Sequence, residues 1–206
     1  MLGEAHRVAS EDELVALYGS PAPTSLAKVV PALNAHYRAL IAASPFCILA
    51  SVGPNGLDAS PRGDEPGFVR VLDEQTLALP DRRGNNRIDT LRNIVRDPRV
   101  ALLFMIPGCN ETLRVNGRAF VSTEPDLLDS FAVKGKTPVT ALAIEIDEAF
   151  FQCGRAILRS GLWSSKAHVD RTTLPTAGEM LRATTDGFDG DAYDRALPER
   201  QRATLY

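Results

Sequence analysis

An arginine-rich segment between a predicted strand and a predicted helix has the clearest potential for chemistry in this sequence. Residues 77–94 read LALPDRRGNNRIDTLRNI, and the loop within them carries three guanidinium groups, those of Arg82, Arg83 and Arg87. The first amides of a helix lack partners and the helix dipole favours an anion there, while arginine forks match phosphate oxygens. Gly84 allows close approach to the backbone, and Asn85 and Asn86 offer amide donors. These features indicate a phosphate site.

The alternative is a solvated loop that only caps the following helix. The segment is neither a Walker loop nor a G-x-G-x-x-G motif, so its pattern alone does not establish phosphate binding. Three arginines within six residues nevertheless stand out in a chain whose formal net charge is −3. The choice therefore depends on the elements around the segment.

A second group with chemical potential is the tripeptide Arg62-Gly63-Asp64, within DASPRGDEPGFVRV at residues 58–71. It joins a cation, a flexible residue and an anion. An adhesion signal is disfavoured, because the first residues lack the apolar segment of an export signal and the cysteines form no disulfide framework. The remaining alternatives are a surface Arg–Asp pair of little energetic weight and a ligand-binding pair.

Composition excludes several classes of function. Of the 206 residues, 44% are hydrophobic and 24% are charged, which is ordinary for a globular protein. A chain of this length can fold without disulfides or a structural metal. The net charge gives no overall attraction to nucleic acid or anionic lipid, and apolar runs stay below the roughly 18 residues of a membrane span. Cys47, Cys109 and Cys153 lack metal-ligand spacing. We therefore expect reduced thiols, a cytoplasmic location, no nucleic-acid or membrane partner and no metal.

Short strands, with helices before, between and after them, must position these groups. Apolar runs and alternation predict strands at 46–52, 57–63, 67–73, 76–79, 99–106, 112–122 and 139–147. Helical spacing predicts helices at 10–19, 25–44 (one helix or a pair), 86–97, 124–133, part of 149–163, 177–185 and 191–202. Ser10 is the expected N-cap of the first helix, with Glu13 three residues later.

The predicted fold class is mainly β with helices, and six or seven antiparallel strands form its centre. Periodicity alone does not separate a barrel from a sandwich. We divide the chain into an N-terminal helical segment at 1–44, a strand-rich domain at 45–165 and a C-terminal helical extension at 166–206. No repeat or low-complexity linker separates them, so we expect one structural domain overall.

Six segments follow one another in an order that resembles the FMN-binding split-barrel proteins related to pyridoxamine 5′-phosphate oxidase. They are ASPRGD, GFVRVLD, LALPDRRGNNR, DPRVALLFMIPG, ETLRVNGRA and CGRAILRSGLW. The resemblance covers roughly residues 40–165 and is greatest to a subgroup with the same SPRGD and GNNR patterns. It implies a six- or seven-stranded antiparallel FMN-binding split β-barrel, and a homodimer with two FMN sites at the subunit interface.

The resemblance also assigns residues to the phosphate and ribityl parts of FMN. Asn86 and Arg87 match the positions that grip the phosphate, and Arg82 lies nearby. Pro80 and Asp81 match the strand end that runs along the flavin ring and the ribityl chain. A dianionic phosphate needs cations at its end of the site, so the physical interpretation of segment 77–94 agrees with these roles.

Two further strands are implied to face the flavin ring. Ser60, Arg62 and Asp64 match the strand at the polar edge of the ring, and Thr112 and Arg114 match a later strand with polar side chains toward it. A positive group near that edge stabilises the anionic reduced flavin, a role open to Arg62. Asp64 could orient that arginine or accept a hydrogen bond from the ring.

The segment CGRAILRSGLW is implied to act across the dimer interface, with Trp163 as an aromatic contact and Arg155 near the phosphate. The C-terminal part lacks the Arg-x-His type motif that holds substrate in the true oxidases, which puts vitamin B6 oxidation in doubt. We expect an FMN-dependent oxidoreductase that acts on a small organic substrate and needs no catalytic side chain. The alternatives are a split barrel that binds F420 or haem, a non-catalytic flavin-binding module and a non-flavin interaction protein.

Overall fold

The computed structural model describes residues 6–206, and three helices precede its sheet. They are α1 (Glu11–Tyr18), α2 (Pro23–Ala27) and α3 (Ala35–Ala43). The predicted cap forms, because Ser10 accepts a hydrogen bond from the Glu13 backbone N–H at 3.2 Å. The predicted helix at 25–44 is a pair, and the Asn34 side chain caps its second member. No residue of α1 is buried, whereas α3 buries Tyr37 and Ile41 against the sheet.

Seven antiparallel strands form one continuous sheet. Their bounds are β1 (Phe46–Gly53), β2 (Gly56–Gly63), β3 (Arg70–Val71), β4 (Thr76–Pro80), β5 (Arg99–Met105), β6 (Thr112–Ser122) and β7 (Ala141–Gln152). The helix α4 (Asp89–Arg96) connects β4 to β5. The order across the sheet is β2-β1-β5-β6-β7-β4-β3. A single sheet excludes the sandwich and confirms the predicted seven-stranded antiparallel arrangement.

The sheet is strongly curved, so that strands far apart in the strand order lie close together. Although β2 is at one edge and β4 is sixth in order, Arg62 contacts Asp81 at 3.1 Å and Asp64 contacts Arg82 at 2.8 Å. Adjacent strands lie about 4.8 Å apart, so only a strongly curved sheet allows these contacts. In the described chain β2 and β4 share no backbone ladder. The architecture is therefore a split barrel.

The barrel encloses the hydrophobic core. Leu49 of β1, Leu102 of β5 and Ile144 of β7 are fully buried, and Ile41 of α3 joins the same buried cluster. Removing each such side chain from water contributes about 1.5–3 kcal/mol. Every second side chain of such a strand points into the core. This burial explains the alternation of apolar and polar residues from which the strands were predicted.

The longest pair of strands contains an irregularity that only glycine allows. β6 and β7 shift register between Asn116 and Gly117. A Cβ built on Gly117 would lie 2.0 Å from the backbone oxygen of Glu145. The missing side chain therefore permits the close approach of the two strands at this bulge.

Several predicted bounds were wrong, and three of them concern the sheet and the helix α4. β3 has two residues instead of seven, and β7 continues to Gln152, through residues predicted to be partly helical. β7 extends past the predicted end because it stays paired with β6, from Ala149 opposite Val115 to Gln152 opposite Thr112. The helix predicted from residue 86 begins only at Asp89, because Asn86 and Ile88 adopt positive φ angles of 59° and 50°.

Four short helices and two 3₁₀ turns complete the chain. They are α5 (Pro125–Ser130), α6 (Arg155–Ser160), the turns Ser165–Ala167 and Arg171–Thr173, α7 (Ala177–Arg182) and α8 (Gly190–Ala203). α7 and α8 approach each other closely at Gly178 and Gly190, where a Cβ on Gly178 would lie 2.1 Å from the Gly190 oxygen. After α8 the chain returns to the barrel, and this return places Tyr206 beside β2.

The three cysteines are free thiols in the described structure, and Cys47 is buried in the core. Burial raises the pKa of Cys47 to about 12 despite the nearby charge of Arg62. Within residues 6–206, no group of three or more His, Cys, Asp or Glu residues could hold a metal ion. The helices in that range are all too short or too polar to cross a membrane.

Candidate functional site

A wide groove of the described structure runs between β2 and the segment that follows β4. We call it the β2–β4 groove. Its walls are β2, residues 80–91, residues 136–140 and residues 205–206, and its volume is about 1520 Å³. Sites for single small molecules usually enclose about 300–1,000 Å³. The groove therefore has room for a large cofactor together with a second ligand or a covering segment.

Eight of the twelve predicted cofactor-binding residues line this groove. They are Ser60, Arg62, Asp64, Pro80, Asp81, Arg82, Asn86 and Arg87. Two sequence segments supply them, and the curvature of the sheet brings these segments together. Composition and periodicity did not predict this meeting, which the family resemblance implied.

The first ion pair of the groove joins Arg62 to Asp81. Arg62 Nη1 donates to Asp81 Oδ1 at 3.1 Å, and the two side chains are 19% and 21% exposed. Burial raises the pKa of Asp81 above its usual value, while the charge and hydrogen bond of Arg62 act in the opposite direction. The pair thus lies in a place where water screens charge weakly, and its charges act strongly on a ligand there.

The second ion pair joins Arg82 to Asp64 and is more enclosed. Arg82 Nε donates to Asp64 Oδ2 at 2.8 Å, and the Asp64 side chain is only 4% exposed. Burial by itself would raise the pKa of Asp64. Hydrogen bonds from the Tyr206 hydroxyl, the Glu65 backbone N–H and Arg82 outweigh burial and hold the pKa below its usual value. Asp64 is therefore a carboxylate at neutral pH.

Two groove residues each have a buried polar atom without a hydrogen-bond partner in residues 6–206. These atoms are Nε of Arg62 and Oγ1 of Thr140. A buried donor left without a partner costs about 1–3 kcal/mol. A ligand that brings an acceptor to Arg62 removes this cost, and the polar edge of a flavin ring carries such acceptors. The residues present therefore fit the expected cofactor at this end of the groove.

The opposite end of the groove is the arginine-rich loop before α4. Arg87 is 74% exposed on its side chain, and its Nε donates to Asp89 Oδ2 at 2.8 Å. Ile88 is the N-cap of α4 and makes no capping hydrogen bond through its side chain. The first amides of α4 thus have no side-chain cap, and the exposed Arg87 guanidinium lies just before them in the chain. This arrangement suits a phosphate group.

The position of α4 is fixed by a buried polar contact with β1. Asn93 Nδ2 donates to Ser51 Oγ at 3.0 Å, and both residues are buried. Gly53 leaves space for the Asn93 side chain, which would lie 3.2 Å from a Cβ on that glycine. This contact therefore joins the middle of α4 to β1 of the barrel.

The other four predicted residues do not line the groove of their own chain. Thr112 Oγ1 contacts Gln152 Oε1 at 3.4 Å, and the Arg114 guanidinium lies 5.4 Å from the Phe150 ring centroid. Trp163 Nε1 donates to the backbone oxygen of Cys109 at 2.6 Å, and Arg155 begins α6. These residues belong to a second surface, at the β6–β7 end and α6. Their predicted contact with a cofactor stays a prediction.

Several groove residues were not predicted from the sequence. Thr140 lies just before β7, Lys136 lies in the loop before it, and Leu205 and Tyr206 lie after α8. No pattern in the polar stretch after residue 164 marks Tyr206. Only its position in three dimensions reveals it, because the Tyr206–Asp64 contact spans 142 residues of sequence.

Residues 33–153, more than half of the chain, match the model of a protein family described as Pyridoxamine 5′-phosphate oxidase. No curated protein matches. A putative pyridoxamine 5′-phosphate oxidase of Lactobacillus delbrueckii is 23% identical, with a TM-score of 0.47, over 59% of this chain and 95% of that one. An FMN-binding protein of Syntrophomonas wolfei is 13% identical, with a TM-score of 0.43, over 55% and 82%. HupZ of Group A Streptococcus is 18% identical, with a TM-score of 0.48, over 59% and 94%.

Proposed function

The chain belongs to the pyridoxamine 5′-phosphate oxidase family, and we propose that it is an FMN-dependent oxidoreductase that acts on a small organic substrate. In this proposal the flavin lies at the interface of a homodimer. The observation that carries the proposal is the β2–β4 groove, because it unites eight predicted flavin-binding residues from two separate segments. The description of one similar structure as an FMN-binding protein also supports the choice of cofactor.

The groove offers the three chemical environments that FMN needs. The phosphate would bind where Arg87 and Asn86 stand beside the uncapped first amides of α4. The ribityl chain and ring would lie along Pro80 and Asp81 at the end of β4. The polar edge of the ring would meet Arg62, whose Nε has no hydrogen-bond partner in the described residues.

The chain's own residues bind and orient rather than react. When bound, FMN supplies the hydride or electron transfer. Arg62 would hold a positive charge beside the ring edge, and such a charge favours the anionic reduced cofactor. Asp81 holds the Arg62 guanidinium in place through the 3.1 Å contact, and Asp64 does the same for Arg82 at 2.8 Å. No acid, base or nucleophile of the chain is assigned.

The second surface supports the homodimer. Thr112, Arg114, Arg155 and Trp163 carry polar, cationic and aromatic groups, and they lie outside the groove of their own chain. A two-fold dimer presents the same patch of each chain to its partner, so it could bring this surface of one copy to the groove of the other. The groove volume of about 1520 Å³ leaves space for such a contribution.

The test begins with the purified full chain, with and without added FMN. We expect a yellow dimer by light scattering, release of FMN on denaturation as identified by mass spectrometry, and reduction and reoxidation of the bound flavin. NADH, NADPH and dithionite serve as reductants. Protein that stays colourless and binds no FMN after incubation with excess cofactor would refute the proposal. Bound flavin that none of these reagents reduces would instead indicate a non-catalytic binding module.

A further inference from the structure

The segment after α8 reaches back to the groove and contacts its most buried ion pair. The Tyr206 hydroxyl lies 2.7 Å from Asp64 Oδ1, and both Leu205 and Tyr206 line the groove. Nothing in the family match, which ends at residue 153, covers this segment. The chain therefore has a groove residue that its family membership does not assign.

Several contacts fix the position of Tyr206. Its backbone oxygen accepts a hydrogen bond from Lys136 Nζ at 2.9 Å. Its ring centroid lies 5.5 Å from the Arg82 guanidinium carbon and 5.9 Å from Lys134 Nζ. These distances are within the range of cation–π attraction. Backbone, ring and hydroxyl are thus each held by a different group, and the groove side of the barrel supplies all of them.

The hydroxyl completes the hydrogen bonding of the Asp64 carboxylate. Oδ2 accepts from Arg82 Nε at 2.8 Å, and Oδ1 accepts from the Glu65 backbone N–H at 2.8 Å as well as from Tyr206. The hydrogen bond to Asp64 raises the pKa of Tyr206 above its usual value, so the phenol stays protonated at neutral pH and acts as the donor. Without Tyr206, the Glu65 backbone N–H would be the one donor left to Oδ1 among these contacts.

We propose that Tyr206 is a positioning residue of the flavin site, whose hydroxyl holds the Asp64–Arg82 pair in the orientation that the bound ring requires. This inference rests on the proposed function, because it assigns Asp64 and Arg82 to a flavin. Tyr206 acts through Asp64 and takes no part in the chemistry. Binding free energies are linked in both directions. If the Tyr206–Asp64 contact increases the affinity for FMN, bound FMN therefore stabilises that contact by the same free energy.

A double-mutant cycle on the full chain tests the proposal, with FMN affinity measured by titration of flavin fluorescence. Tyr206→Phe keeps the ring and removes only the hydroxyl. We expect it to lower the affinity at least about fivefold, a typical lower bound for coupled sites. In the Asp64→Asn background the same change should lower affinity less than about twofold, because the partner of the hydroxyl is already altered. Tyr18→Phe, at a tyrosine that is 83% exposed on α1, is the control and should have no effect.

The outcomes separate this inference from the proposed function. If wild-type protein binds FMN and Tyr206→Phe binds it equally well, the positioning role is wrong and the flavin function stands. Tyr206→Phe could also lower the affinity for FMN equally in wild-type protein and in the Asp64→Asn variant. That result would contradict the positioning role, because the effect of the hydroxyl would then not depend on Asp64. If wild-type protein binds no FMN, the proposed function itself fails, whatever the variants do.

Discussion

Arg62 Nη1 and Asp81 Oδ1 lie 3.1 Å apart and connect the two strands that border the groove. Arg62 and Asp81 are only 19 positions apart in the sequence. Arg62 lies on β2 and Asp81 directly follows β4, and these strands are first and sixth in the seven-stranded sheet. Their contact therefore bridges the open seam of the split barrel by side chains alone. In the proposed function the same pair would also meet the ring edge of the flavin, so one contact would serve both the structure and the binding of the cofactor.

Replacement of Arg62 by methionine tests the structural role of this pair. Arg62→Met leaves the Asp81 carboxylate unpaired at 21% exposure, so we expect the free energy of unfolding in urea to fall by about 3 kcal/mol. Adding Asp81→Asn should recover part of this loss. The matched control is Arg182→Met, which breaks the exposed pair with Asp191 and should cost less than about 1 kcal/mol. Equal losses in the two single variants would contradict a special role for the seam.

Replacement of Arg87 by alanine tests the proposed phosphate end. Loss of a charge-assisted contact should lower the affinity for FMN about tenfold, while riboflavin, which has no phosphate, should bind as before. The free energy of unfolding should change by less than about 0.5 kcal/mol, because the side chain is 74% exposed. Arg96→Ala removes the same charge from the far end of α4, outside the groove, and serves as the control. Equal loss of affinity for both ligands would remove the phosphate assignment.

Replacement of Gly117 by alanine tests the bulge between β6 and β7. The new Cβ would lie 2.0 Å from the Glu145 oxygen, so the two strands must separate, and we expect a loss of about 3 kcal/mol in urea unfolding. Gly84→Ala is the comparison for stability, since a Cβ there has no atom within 4 Å. It should leave the stability unchanged or raise it by about 0.4–1 kcal/mol. A loss for Gly84→Ala as large as that for Gly117→Ala would be inconsistent with the geometry.

The stability contributed by Asp64 should depend on pH in a defined direction. Its pKa is below the usual value in the folded protein, so its contribution is fully present above the unfolded pKa of about 3.9. The contribution is lost as the pH falls through the folded pKa. The difference in unfolding free energy between wild type and Asp64→Asn should therefore be large near about pH 7 and shrink below about pH 4. A difference that stays constant over this range would contradict the assigned pKa direction.

The strands of the barrel could be predicted from sequence because burial imposes their pattern. β6 was predicted at 112–122 and forms at Thr112–Ser122, since its alternate residues, such as Leu113 and Val115, are buried in the core. β1 and β4 were predicted within one residue at each end for the same reason. The prediction of β3 was wrong in length. Phe68 and Val69 are adjacent and both buried, so they do not alternate, and they lie outside the two residues that pair as β3.

The candidate site could be predicted only in part. The loop at 82–87 was visible from its arginines, and the family resemblance added β2. Tyr206 and Thr140 could not be found, because their places in the groove depend on the path of the chain after α8 and on the register of β7. Such long-range relationships leave no local pattern. The late start of α4 was also hidden, because nothing in the sequence requires Ile88 to adopt a φ of 50°.

The sheet order determines when the site can assemble during folding. β4 pairs only with the two-residue β3 and with β7, whose residues Ala141–Glu145 lie opposite Thr76–Pro80. A chain emerging from the ribosome thus has β4 without its main partner until about 60 further residues have followed, and closing so long a loop is slow. We expect Asp81 and Arg82 to reach Arg62 of β2 and Asp64, which follows β2, only after that pairing. On this reasoning we expect the groove to form late in folding, and the proposed cofactor would bind only a chain whose β-sheet is already complete.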